Sequence, residues 1–129
     1  MRLLLDTQVW LWMMASPGRL SAKGRSLVTM ASNELLLSAA SAWEIAIKYQ
    51  LGKLQLPEAP SEYIPRLMAR ASIEPLPVLH RHALHVATLP PHHRDPFDRL
   101  LVAQAQLEDL PILTADETFR LYEIKVLHA

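Results

Sequence analysis

The sequence predicts an α/β fold with a mainly parallel central sheet and helices on both faces. Two observations carry that expectation. Short apolar runs alternate along the chain with longer stretches that open on Ser, Thr or Asp and close on Gly or Pro. Four acids, Asp6, Glu44, Asp98 and Asp116, each stand just past such a run or near the start of a helix. In an open α/β sheet, ligands gather outside the carboxyl ends of the parallel strands. The four carboxylates should therefore meet at one edge of one domain spanning residues 1–129.

The elements follow in order. Leu3–Leu5 reads as a short buried strand, and Thr7 as a cap for a helix from Gln8 to Ala15 that Ser16-Pro17-Gly18 ends. Ser21 caps a second helix to about Ser32, and Asn33 breaks it before the strand Glu34–Ser38. Ser41 is the expected cap of a helix through Tyr49, with Gly52 as its stop signal. Pro57 and Pro60 bracket a loop, and a helix runs from about Ser61 to Ala71. Ile73–Val78, interrupted by Pro75 and Pro77, reads as an edge strand. His80–Leu89 is a short helix. Asp95-Pro96 pairs a cap with proline at the first helical position, opening a helix that ends near Asp109. A strand at Pro111–Thr114, a brief helix at Glu117–Leu121 and a strand at Lys125–His128 complete the series.

Composition narrows the classes. A chain of 129 residues, 50% hydrophobic and 20% charged, suits one globular core. Without cysteine it has no disulfide and no thiolate metal site, which fits a reducing cytoplasm. Asp6 breaks the first apolar run and no small-residue cleavage site follows, so no signal peptide is expected. No apolar run approaches the roughly 20 residues of a membrane span. Lys+Arg and Asp+Glu balance at 13 each, so any hold on nucleic acid must be local. The three glycines are isolated, so there is no phosphate-cradling loop.

Clustered carboxylates repel and raise one another's pKa unless a cation neutralises them. A hard divalent ion held by oxygens is the usual answer. Each acid also has a plainer explanation. Asp6 and Asp116 would serve as helix caps, and Asp95 with Asp98 resembles a capping box. Glu44 and Lys48 would form an i,i+4 surface pair worth only ~0.3 kcal/mol. The alanines Ala39, Ala40, Ala42 and Ala46 argue for close packing of the Glu44 helix, and hence for a Glu facing a crevice. Thr114 would support a carboxylate, Lys48 would reach a phosphate, and Arg94 and Arg99 would bring positive charge beside the acids. The histidines, expected on loops or a surface helix, match no zinc spacing. Trp10 and Trp12 read as core with partial surface.

Four segments taken together resemble the PIN-domain toxins of VapC type. They are Leu4-Leu5-Asp6-Thr7, Ser41–Lys48 (SAWEIAIK), His93–Ala105 (HRDPFDRLLVAQA) and Leu113-Thr114-Ala115-Asp116. The order and spacing match along essentially the whole chain, and the central segment is the most specific. Relatives often carry His where Gln8 stands here.

The resemblance implies a PIN-like fold and a Mg²⁺- or Mn²⁺-dependent endoribonuclease of a toxin–antitoxin pair, usually dimeric and inhibited by a small cognate antitoxin. Its acidic site maps onto Asp6, Glu44, Asp98 and Asp116 as catalytic and metal-holding residues, with Asp95 beside them. Thr7, Lys48, Arg99 and Thr114 fall in supporting or substrate-contacting places. The Trp10/Trp12 pair and Leu/Ala-rich helices add weak support for a homodimer.

Two other classes compete. A catalytically silent PIN-like module would bind RNA or protein without cleaving, which the presence of all four acids argues against. A phosphatase working through an aspartyl-phosphate would want an acid two positions after Asp6, where Gln8 stands.

Overall fold

The computed structural model describes residues 1–129. A five-stranded sheet carries every element: β1 (Arg2–Leu5), β2 (Glu34–Ser38), β3 (Glu74–Leu76), β4 (Ile112–Thr114) and β5 (Val126–His128). All four pairings are parallel and the strand order is β3-β2-β1-β4-β5. Around it lie α1 (Thr7–Ala15), α2 (Ala22–Thr29), α3 (Ala39–Gln50), α4 (Pro60–Arg70), α5 (His80–His85) and α6 (Pro96–Glu108).

The leucine runs explain the layering. Successive strand side chains point to opposite faces, so an unbroken apolar run fits only a strand covered on both. Leu3 and Leu5 of β1, with Leu35 and Leu37 of β2, pack against Val9, Trp10, Ile45, Tyr63 and Ile64 from α1, α3 and α4. Leu4 and Leu36 face the other way, against Leu101, Val102 and Ala105 of α6 and Phe119. β3 sits on the edge, where Pro75 lacks an N–H to donate without breaking a central ladder.

Several boundaries move for local reasons. Ser38, not Ser41, caps α3: its Oγ accepts from Ala40 N at 3.0 Å. α2 stops at Thr29, because Asn33 Nδ2 donates to the carbonyl of Leu27 at 2.9 Å and Thr29 Oγ1 donates to Arg25 O at 2.7 Å. The stretch after His80 divides into α5 and a 3-10 turn at Val86–Thr88, where Thr88 Oγ1 donates to His85 O at 2.7 Å. Trp10 is wholly inside the core and offers nothing to a dimer surface, while Trp12 is half-buried. Ala39 and Ala46 are exposed, so α3 packs closely only along the Ala40, Ser41, Glu44 and Ile45 side.

α3 ends in a paired turn: Lys53 N donates to Lys48 O at 2.9 Å and Gly52 N to Tyr49 O at 3.1 Å. Gly52 adopts φ 72°, a conformation that favours glycine. Leu110 and β4 lie beyond α6, which closes on Asp109 at φ 53°.

Candidate active site

β1 is followed by β2 and then β3 on one side of it, while β4 and β5 lie on the other. The chain order thus reverses between β1 and β4, and a crevice opens beyond their carboxyl ends. Asp6 follows β1 directly, and Asp116 lies two residues past β4.

Asp6 is buried and makes no side-chain cap to α1. The Thr114 hydroxyl instead donates to its Oδ2 at 2.8 Å and accepts from Asp116 N at 2.9 Å, tying the Asp6 side chain to the Asp116 backbone. Asp116 uses both oxygens differently. Oδ1 accepts from Thr118 N at 2.9 Å, so the cap is real, while Oδ2 lies 3.1 Å from His93 Nε2. Thr7 begins α1 rather than capping it, and its hydroxyl donates to Ser41 Oγ at 2.7 Å. That bond clamps the start of α1 to α3 at the level of the acids.

Glu44 is only 6% exposed, which removes the surface-pair explanation. Its Oε2 accepts from Lys48 Nζ at 2.6 Å, but its buried Oε1 has no hydrogen-bond partner. Such an orphaned carboxylate oxygen is costly unless something positive meets it. Asp95 caps α6, with Oδ1 accepting from Phe97 N at 2.8 Å and Asp98 N at 3.2 Å. Asp98, in the first turn of α6, is half-buried and lies 4.0 Å from His93 Nε2.

Two expectations are corrected here. Arg99 does not offer its charge to the acids, because its guanidinium donates to the carbonyls of Val86, Leu89, Pro90 and His93. It anchors the loop that precedes α6. The histidines are not all superficial: His82 and His93 are buried. His93, whose N–H donates to Tyr122 Oη at 2.7 Å and whose ring stacks on Tyr122, was missed as a site residue. Its position two residues ahead of the Asp95 cap was the available signal. Ser38 and Gln104 were missed too: Ser38 Oγ donates to Gln104 Oε1, and Gln104 Nε2 donates to Pro77 O at 3.2 Å. They join the start of α3 to α6 beneath the acids.

Electrostatics follow from this crowding. Burial, then the charges of Asp95, Asp6, Glu44 and Asp116, push the Asp98 carboxyl up to about 8. Burial also raises Asp6 to about 6, against the opposing hydrogen bond from Thr114. Burial works to raise Asp116 as well, but hydrogen bonds from Thr118 and His93 outweigh it and its pKa is lowered. The bond to Glu44 raises the Lys48 ammonium. Asp6, Glu44, Asp95, Asp98 and Asp116 line one cleft of about 390 Å³, with Lys48 and Lys53 also on its wall. A larger hollow of about 840 Å³ lies beyond the amino ends of β1, β4 and β5 and does not touch this group.

The donor set suits a hard cation. One atom each from His93, Asp98 and Asp116 lie within 4.8 Å of one another. Asp6 and the orphaned Glu44 Oε1 add carboxylate oxygens on the same cleft.

Known proteins share this fold. The PIN domain family model matches residues 3–125. Ribonuclease VapC16 of Mycobacterium tuberculosis is 52% identical over 61 residues, which is 47% of this chain and 43% of that relative. Among solved structures, VapBC2 from Rickettsia felis, bound to a promoter DNA fragment, superposes with a TM-score of 0.73. The match covers 99% of this chain and 98% of that one at 14% identity. VapBC-1 from nontypeable Haemophilus influenzae gives 0.70, covering 99% and 98% at 19% identity. These likenesses show the fold, and the match across residues 3–125 makes the chain a member of the PIN domain family.

Proposed function

We propose that this PIN domain, residues 1–129, is a divalent-metal-dependent endoribonuclease of the VapC toxin type. The observation that carries the reading is the convergence of Asp6, Glu44, Asp98 and Asp116 on one cleft, with one buried Glu44 oxygen lacking any partner. The relative named as a ribonuclease and the solved neighbours named as VapBC assemblies support it.

Mg²⁺ or Mn²⁺ would be held by Asp6, Asp98, Asp116 and Glu44, with His93 Nε2 within reach. When bound, the ion supplies a water of lowered pKa and positive charge for the phosphoryl oxygens. The chain's own groups prepare the ground. Thr114 fixes Asp6 and Asp116 in mutual register, and Thr7 with Ser41 fixes α1 to α3. Asp95 holds the N-terminus of α6 so that Asp98 faces its fellow acids. Lys48, half-exposed beside Glu44, offers an ammonium to an RNA phosphate.

The VapBC neighbours support restraint by a small cognate antitoxin, and the acids gathered on the cleft of an otherwise neutral chain would draw an Arg or Lys of that partner. A homodimer and a cytoplasmic location complete the proposal. No helix is long and apolar enough to cross a membrane.

Purified protein should cleave RNA in Mg²⁺ or Mn²⁺ and not in excess chelator, with Asp6→Asn inactive. A well-folded wild-type protein that cuts no RNA in either metal would sink the reading in favour of a silent binding module.

A further inference from the structure

Arg99 stands next to Asp98 in the first turn of α6, half-buried, yet its side-chain hydrogen bonds all go to backbone carbonyls. Nη1 donates to Pro90 O at 3.1 Å and His93 O at 3.4 Å, and Nη2 to Val86 O at 3.1 Å and Leu89 O at 3.3 Å. The terminal nitrogens of a guanidinium carry two N–H groups each, so both are fully used. The segment they hold has little else to hold it. Between the 3-10 turn at Val86–Thr88 and the start of α6 the chain forms no helix or strand. Pro90 and Pro91 have no N–H to donate, and the carbonyls that end a helical turn lack partners within it. A planar fork of fixed donors can gather such carbonyls. A lysine ammonium, one nitrogen with three N–H groups, cannot meet four.

The clamped segment ends on His93. Arg99 holds the carbonyl of that residue, and the Tyr122 hydroxyl accepts from its backbone N–H at 2.7 Å, so the peptides on both sides of its Cα are fixed. The ring then sets Nε2 at 3.1 Å from Asp116 Oδ2 and 4.0 Å from Asp98 Oδ2. A histidine at a metal site is ordinarily oriented by a hydrogen bond on its other ring nitrogen. Here Nδ1 is buried without any partner. The stack on Tyr122 fixes the plane of the ring, and its place along that plane is left to the backbone.

We propose that Arg99 is a positioning residue for the metal site. By clamping residues 86–93 through their carbonyls it holds His93 Nε2 at the gap between Asp98 and Asp116, and it touches no substrate. This rests on the reading of the cleft as the divalent-metal site of a ribonuclease. One helical turn thus supplies a cap in Asp95, an acid in Asp98 and, in Arg99, the clamp that brings a third group to them.

Two variants and one background make the test. Arg99→Lys keeps the charge and loses the fork, and Arg99→Gln loses both. Calorimetric titration with Mn²⁺ should show affinity about tenfold weaker in each, the scale for losing a group that supports a metal ligand. In a His93→Ala background the same changes should cost less than about twofold, because the group they act through is gone. Cleavage should fall at limiting Mn²⁺ and recover at saturating Mn²⁺, with KM for RNA within about twofold of wild type. In metal-free protein labelled with ¹³C-histidine, the His93 ring signals, assigned by their loss in His93→Ala, should shift in Arg99→Lys. Wild-type Mn²⁺ affinity in a folded Arg99→Lys, or an equal loss in the His93→Ala background, overturns the proposal. So does a raised KM with unchanged metal affinity, which would make Arg99 a phosphate contact. If neither variant folds, the wild type still decides: separate, slowly exchanging Nη–H signals for Arg99 support the clamp, and one averaged signal overturns it. A wild type that binds Mn²⁺ but cleaves no RNA removes the nuclease reading alone, since affinities and ring signals are read without cleavage.

Discussion

The Thr114 hydroxyl donates to Asp6 Oδ2 at 2.8 Å across the join between β4 and β1. The same oxygen accepts from Asp116 N at 2.9 Å, so one small side chain sets the spacing of two acids that lie 110 positions apart in sequence. Thr114→Val keeps the shape but strips both bonds and leaves a buried carboxylate oxygen and a backbone N–H short of a partner. It should cost about 1–3 kcal/mol of stability and weaken the Mn²⁺-induced rise in Tm. Thr114→Ser should keep most of both. A Thr114→Val protein with wild-type stability and metal response would show that the hydroxyl organises nothing.

Acid crowding predicts an unusual pH dependence without metal. Asp6 and Asp98 titrate at about 6 and about 8 in the fold, against an ordinary 3.8. Between about pH 4 and pH 8 the folded chain therefore binds protons that the unfolded chain has released, and stability falls as pH rises. Asp116 runs the other way: its lowered carboxyl adds stability that is lost only as pH drops below about 4. In chelator, Tm should decline from pH 5 to pH 8, and Asp98→Asn should flatten that decline. Mn²⁺, competing with protons for these oxygens, should raise Tm more at pH 8 than at pH 5. A metal-induced rise that is larger at pH 5 would contradict the crowding account.

How far the sequence revealed these features depended on the kind of signal. Leu3–Leu5 and Leu35–Leu37 were legible because an unbroken apolar run has only one home, a strand covered on both faces. Asp6 and Asp116 were legible because strand ends project into the crevice by topology alone. The Asp95 cap and the Pro96 start of α6 were legible from local chemistry. What stayed hidden were bonds between side chains distant in sequence, such as Thr7 to Ser41, Ser38 to Gln104 and His93 to Asp116. Arg99 illustrates the limit. Asp95 and Asp98 stand just ahead of it in sequence, yet its donors turn to four carbonyls of the preceding segment, a choice fixed only by how that segment folds back.

His93 carries an expectation of its own. Its ring is buried between Tyr122 and Phe119, with Nε2 on Asp116 and a buried Nδ1 that has no partner. His93→Ala removes a bond that lowers the Asp116 carboxyl, so that carboxyl should move upward. Metal affinity and RNA cleavage should each drop by about tenfold to a hundredfold, the usual range for losing a group that supports a metal ligand. His93→Gln, which keeps a donor, should lose less. Unchanged Mn²⁺ affinity in a folded His93→Ala protein would leave His93 as core packing only.

The sharpest separation is between Asp95 and Asp98, three residues apart on the same turn. Asp95 spends its Oδ1 on Phe97 N and Asp98 N, so its work is capping. Asparagine caps equally well, and Asp95→Asn should preserve stability, whereas Asp95→Ala should cost about 1 kcal/mol. Asp98 makes no such bond and faces Asp6, Glu44 and Asp116, which together with burial raise its pKa to about 8. Replacing it with Asn removes a repelling charge, so metal-free protein should melt at the same temperature or higher. The same change should abolish most cleavage and much of the Mn²⁺-induced rise in Tm, because it deletes an oxygen that the cation needs. Thermal melts of the two Asn variants, with chelator and with Mn²⁺, distinguish the roles directly. If Asp95→Asn destroys the metal response while Asp98→Asn leaves it intact, ligand and cap have been assigned the wrong way round.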